Sequence, residues 1–147
     1  MKFTRKASAE WKGTGKDGKG TLSTHSGVLK ETPYSFRTRF EDAPGTNPEE
    51  LIGVAHAGCF TMQISFLISE AGFTPTSLQT NATVTFEDGS ITMVHLNLVA
   101  DVPGLDEMQF HELALKAKQI CPVSKLLNAQ IELSDQLTHE EDIPTGC

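Results

Sequence analysis

The 147-residue sequence predicts an α+β fold on three observations. Apolar and polar side chains alternate in short runs before residue 46, an unbroken apolar helical stretch covers 47–71, and a β-hairpin signal, helical periodicity and a last strand follow between 78 and 137. Residues 138–147 read as an acidic tail. The length suits one domain, 1–147, able to bury roughly two thirds of its unfolded surface without disulfides.

In KFTRKASAEW, Phe3, Ala7, Ala9 and Trp11 share one parity, which suits a half-buried strand. The glycines of KGTGKDGKGT then mark a turn. From Gly13 to Lys19 this turn nearly spells the phosphate-binding pattern G-x-x-x-x-G-K, but Gly20 stands where Ser or Thr would hold magnesium and no helical pattern follows, so a hairpin loop is expected. TPYSFRTRFE alternates again, with Tyr34, Phe36 and Phe40 on one face and Ser35, Arg37, Arg39 and Glu41 on the other. As a strand it points both arginines the same way.

After APGTN, Asn47 is placed as an N-cap, Pro48 at the first helical position, and Glu49 and Glu50 in the first turn, with Asn47 and Glu50 in a capping-box relation. The helix runs to about Ala71, where Gly72 stops it, giving roughly 24 residues and ~36 Å. It is apolar on more than one face, and such a helix is either buried or membrane-spanning. His56, Gln63 and small polar side chains between Leu51 and Ser69 favour a central helix covered by a sheet, with a second chain as further cover.

SLQTNATVTF and SITMVHLNLVADV read as antiparallel strands joined at EDGS, where Asp88-Gly89 favours a tight turn. From Asp106 a helical stripe collects Phe110, Leu113, Ala114, Ala117 and Ile120 or Cys121, and Pro122 ends it and opens a short third helix. AQIELSDQL alternates Ile131, Leu133 and Leu137 as a last strand.

Twelve Lys and Arg against nineteen Asp and Glu give a net charge of −7, which argues against nucleic acid or an anionic membrane as partner. The N-terminal MKFTRKASAEW lacks the apolar core of a secretory signal, so the cytoplasm is the expected compartment. Three widely spaced cysteines do not read as a disulfide framework, and reactivity is the question to ask of each. Cys121 precedes a proline and opens a helix, where the dipole favours a thiolate, although a cysteine closing a helix by packing is equally common. Cys59 lies some twelve positions beyond the N-cap, too far for that dipole to act. Burial there raises a thiol pKa, so Cys59 either packs inertly or draws on a cation from elsewhere, for which Arg39 is available.

TRFEDAPGTNPEELIGVAHAGCF and ICPVSKLL, with GVLKETPYSFRTRF and ISEAGFTPTSL, closely resemble the OsmC family, the osmotically inducible proteins related to the organic hydroperoxide resistance (Ohr) proteins. The resemblance covers nearly the whole chain and weakens in the tail. It implies an OsmC-like α+β fold, antiparallel sheets wrapped around long central helices in an intertwined homodimer with sites at the subunit interface. It makes Cys59 the peroxidatic and Cys121 the resolving cysteine. Arg39 would hold the thiolate and polarise the peroxide, and Glu49 would orient Arg39.

The implied activity is a thiol-dependent peroxidase for organic hydroperoxides, with hydrogen peroxide a poorer substrate. It uses no metal or organic cofactor and is re-reduced by a dithiol of lipoyl or thioredoxin type, in oxidative or osmotic stress defence. Two departures are minor: AGC replaces the commoner AAC, and a shorter hairpin before ITMVHLNL brings Cys121 slightly early. Cys147 has no family counterpart.

Glu49 and Cys59 stand ten residues apart, about 15 Å along one helix and on different faces, so a shared site calls for two chains. Two rivals stand beside this reading. His56 and Cys59 with Cys121 and His111 or His95 could bind zinc, and an interface groove could hold an apolar ligand without turnover.

Overall fold

The computed structural model describes residues 1–138. The chain divides into two compact units, Met1–Leu51 and the remainder from Ile52. The expected acidic tail beyond Thr138, with Cys147, lies outside the described residues.

In the first unit, β1 (Ala7–Lys12), β2 (Lys19–Thr24) and β3 (Thr32–Tyr34) form an antiparallel sheet in that order. The Gly13–Lys19 segment is the β1–β2 connection, closed by Gly18 N–H donating to Thr14 O at 2.8 Å, and a strand follows it as the hairpin reading requires. Gly20 lies in β2 where a Cβ would collide with both Trp11 and Tyr34. The missing side chain lets those rings meet edge-on, centroids 5.4 Å apart.

Two expectations are corrected here. Phe3 precedes β1, and Ala7 and Ala9 are exposed; only Trp11 of that parity is half-buried, because β1 is an edge strand that packs only at its end. The stretch after Tyr34 is not a strand but a short helix, α1 (Phe36–Phe40). Ser35 caps it: its Oγ accepts from Thr38 N–H while Thr38 Oγ1 accepts from Ser35 N–H. Phe36 and Phe40 then meet one turn apart as tilted rings, centroids 5.0 Å apart, and residues two apart on a helix point to different sides, so Arg37 and Arg39 diverge. Arg37 pairs with Glu41 at 3.2 Å and Arg39 with Glu49 at 2.8 Å.

The long helix is α2 (Pro48–Glu70). Asn47 Oδ1 accepts from Glu50 N–H at 2.7 Å, the expected cap, and Gly72 leaves the helix at φ +94. Its buried stripe, Gly53, His56, Phe60, Ile64, Leu67 and Ile68, follows helical spacing. The stripe continues into the core with Val94, Leu96, Leu98, Ala100, Phe110, Ala114 and Ala117.

The second unit's sheet runs β4 (Ser77–Glu87), β5 (Ser90–Asp101), β6 (Gln130–Leu137). β4 and β5 are antiparallel across Asp88 (φ 50) and Gly89 (φ 82), whose paired left-handed geometry suits the hairpin's twist. β5 is central, pairs with β6 in parallel, and sends alternate residues into the core. Helix α3 (Glu107–Ile120), capped by Asp106, packs on β6, and α4 (Pro122–Leu126) follows at once.

Candidate functional site

Two cysteines distant in sequence meet here: the Cys121 thiol donates to Cys59 Sγ at 3.1 Å, and both are free. Cys121 is fully buried at the junction of two helices, its N–H donating to Ala117 O to close α3 and its carbonyl accepting from Lys125 N–H to open α4. Pro122 enforces that junction, because the residue before a proline is driven to extended ψ, here 122°. Cys59 is half-buried on α2 against the same core.

Burial pushes the Cys59 thiol up, and the adjoining Cys121 sulfur adds to the rise, while the Val123 backbone N–H donating to Cys59 opposes it. The start of α4, expected from its dipole to favour a thiolate at Cys121, donates an amide to Cys59. Pro122 has no N–H, so the first amide α4 can offer is Val123, and α2 lays the Cys59 sulfur against it.

One turn before Cys59, His56 is fully buried, with Nε2 2.7 Å from Ser124 Oγ and Nδ1 lacking any partner. Burial pushes its imidazole below the ordinary 6.5. The unfolded chain then takes up this proton at higher pH than the folded one. The resulting stability is present above about pH 6.5 and is lost as pH falls through the depressed folded value. Urea midpoints followed from pH 7.5 to 5 are expected to drop, and to drop less in His56→Gln; identical slopes would contradict this. In the sequence His56 stands out only as a polar residue of the apolar helix and a zinc candidate, and neither Ser124 nor Val123 stands out at all. The one available signal was a serine three residues after Cys121, on the first turn of a proline-opened helix.

In the first unit, Arg39 Nε and Nη2 both reach Glu49 Oε1 at 2.8 Å, joining α1 to the first turn of α2. The Arg39 guanidinium also lies over the Phe40 ring, 4.9 Å from its centroid. Glu49 Oε2 is buried without a hydrogen-bond partner. Arg39 also borders a cavity of about 220 Å³ with Trp11, Tyr34, Phe36 and Phe40. The structure thus brings Cys59 to Cys121 and Arg39 to Glu49.

The rival zinc set is not assembled. His111 Nδ1 is held by Asp135 at 2.6 Å, and His95 by Ser134 at 2.7 Å. Among the described residues no three His, Cys, Asp or Glu side chains converge. His95 and His111 are held by these local partners, on β6.

Residues 40–134 match the family profile described as OsmC-like protein. The chain belongs to the OsmC family. It is 50% identical over 141 residues to peroxiredoxin OsmC of Escherichia coli, covering 93% of this chain and 99% of that one. It is 26% identical over 121 residues to the organic hydroperoxide resistance protein OhrB of Bacillus subtilis, covering 80% and 88%. An OsmC-like protein from Mycoplasma pneumoniae superposes with a TM-score of 0.74 at 15% identity, covering 95% of this chain and 100% of that one. An organic hydroperoxide resistance protein OsmC from Legionella pneumophila gives 0.66 at 22%, covering 92% and 99%. The α+β architecture with two small sheets and a long central helix is thus the OsmC-like fold.

Proposed function

We propose that this OsmC family member is a thiol peroxidase for organic hydroperoxides, with Cys59 peroxidatic and Cys121 resolving. The 3.1 Å approach of the two sulfurs carries the reading, because it joins an accessible thiol to a buried one in position to condense with it. The Cys59 thiolate attacks the terminal peroxide oxygen; an S–O bond forms, the O–O bond breaks, and the alkoxide takes a proton and leaves as alcohol. Cys121 sulfur then attacks Cys59 sulfur, and the hydroxyl leaves as water with the Cys121 proton. A dithiol of lipoyl or thioredoxin type returns two electrons and two protons and is itself oxidised to a disulfide.

Ionising Cys59 requires more than its own surroundings supply, since burial raises its pKa and one amide only partly offsets this. Arg39, oriented by Glu49, is assigned that task and the polarising of the peroxide. The buried, unpartnered Glu49 Oε2 has room for one more donor in the assembled site. A homodimer is the assembly that supports this assignment. The outer face of α2 leaves Val54, Met62 and Phe66 exposed, at 65%, 64% and 59%, opposite the stripe that enters the core. A groove of about 700 Å³ runs along that face between Val54, Met62 and Thr80. The enzyme is assigned to the cytoplasm, in defence against oxidative or osmotic stress.

Apolar surroundings should make the substrate's organic part count. With dihydrolipoamide as donor, kcat/KM for cumene hydroperoxide is expected to exceed that for hydrogen peroxide at least about tenfold, since each buried CH₂ contributes about 0.8 kcal/mol. The reverse preference, or no turnover of either, would sink the proposal. The alternative of an apolar-ligand binder without turnover predicts the second result.

A further inference from the structure

We infer that the buried hydrogen bond between His56 and Ser124 is the pin that holds the Cys121–α4 segment against Cys59, so that both are positioning residues for the thiol–disulfide step. The inference rests on the reading of Cys59 and Cys121 as a redox pair. His56 stands three residues before Cys59 on α2, and Ser124 three after Cys121 on α4. His56 and Cys59 share a face of α2, so the imidazole–hydroxyl bond at 2.7 Å and the sulfur pair at 3.1 Å are two adjacent crossbars from α2 to the Cys121–α4 segment.

α4 has little to hold itself in place. It has five residues, begins with a proline that donates no amide, and has at its N-cap a cysteine whose side chain makes no capping bond. α3 delivers Cys121 through the bond to Ala117 O, and Val123 and Leu127 pack on the core. Apolar packing is non-directional and leaves a short turn free to rotate. A buried hydrogen bond fixes that rotation, and with it the aim of both the Cys121 thiol and the Val123 N–H at Cys59.

The surroundings of His56 support a specific purpose for a polar residue there. Its Nδ1 is buried without a partner, a penalty that an apolar side chain of similar size would avoid. The less costly tautomer carries hydrogen on Nε2, donates to Ser124 Oγ, and leaves only an acceptor orphaned at Nδ1. The ring then stays neutral and contributes one bond, the one to α4.

Equilibration of the full chain with reduced and oxidised dithiothreitol, with the Cys59–Cys121 peptide quantified by mass spectrometry, measures how well the two sulfurs are aimed, with no hydroperoxide involved. Ser124→Ala and His56→Leu are each expected to lower the disulfide equilibrium constant about three- to tenfold, and the double variant no further than the single ones. Ser124→Thr and His56→Gln should stay near wild type. Should Ser124→Ala fold poorly, Ser124→Thr against Ser124→Val compares the same shape with and without the hydroxyl. Folded variants with an unchanged constant, or a wild type that never forms this disulfide, would overturn the inference. A wild type that forms it with dithiothreitol yet consumes no hydroperoxide would remove the peroxidase reading and leave the pin standing.

Discussion

Cys59→Ser is expected to lower kcat/KM for cumene hydroperoxide by on the order of a thousandfold or more, with the fold retained. Serine nearly matches cysteine in volume and the position is only half-buried, so the core loses little. The proposed chemistry loses its nucleophile, because a serine hydroxyl is not ionised near neutral pH and does not form the sulfenic acid that Cys121 is proposed to resolve. Hydroperoxide consumption by the two purified proteins, with dithiol in excess, checks this. Equal rates would remove Cys59 from the chemistry.

Arg39→Gln is expected to cost on the order of a hundredfold in the same assay at pH 7, and less as pH rises. The sign follows from the direction of the Cys59 shift. Burial raises its pKa, so without a cation the thiolate is scarce at neutral pH, and each unit of pH below the pKa is a tenfold loss of reactive sulfur. Raising pH restores the thiolate in the variant, whereas a wild-type thiol ionised by Arg39, as proposed, is expected to gain little. Matching pH–rate profiles for the two proteins would contradict the role given to Arg39.

Much of the fold was legible because its signals are local. Asn47 and Pro48 start α2 and Gly72 ends it; Asp88-Gly89 turns the hairpin; Pro122 divides α3 from α4. The stretch around Arg39 misled because Tyr34, Phe36 and Phe40 fit an alternating strand as well as Phe36 and Phe40 fit one turn of helix. Ser35 and Thr38 decided for the helix through reciprocal capping bonds, a pattern present in the sequence but outweighed by parity. Phe3, Ala7 and Ala9 misled differently: alternation indicates a face that can be covered, and these residues are exposed in this chain.

At the site, the residue types were legible and their partners less so. The nearness of Cys59 to Cys121 could be anticipated only from the family resemblance, since 62 residues separate them and no periodicity links two elements at that range. The Val123 amide was invisible because it is backbone, and its target depends on how α2 packs against α4. Ser124 was unread for the same reason: its meaning lies in His56, 68 residues away.

The central claim is that Cys59 and Cys121 form the redox pair, and mapping the disulfide made by one equivalent of cumene hydroperoxide tests it most directly. Reduced full-length protein, oxidised anaerobically, alkylated and digested without reductant, should yield a peptide joining Cys59 to Cys121. Cys121→Ser should instead accumulate Cys59 sulfenic and sulfinic acids. A product in which Cys59 is joined only to Cys147, or in which Cys59 stays reduced while hydroperoxide is consumed, would contradict the account.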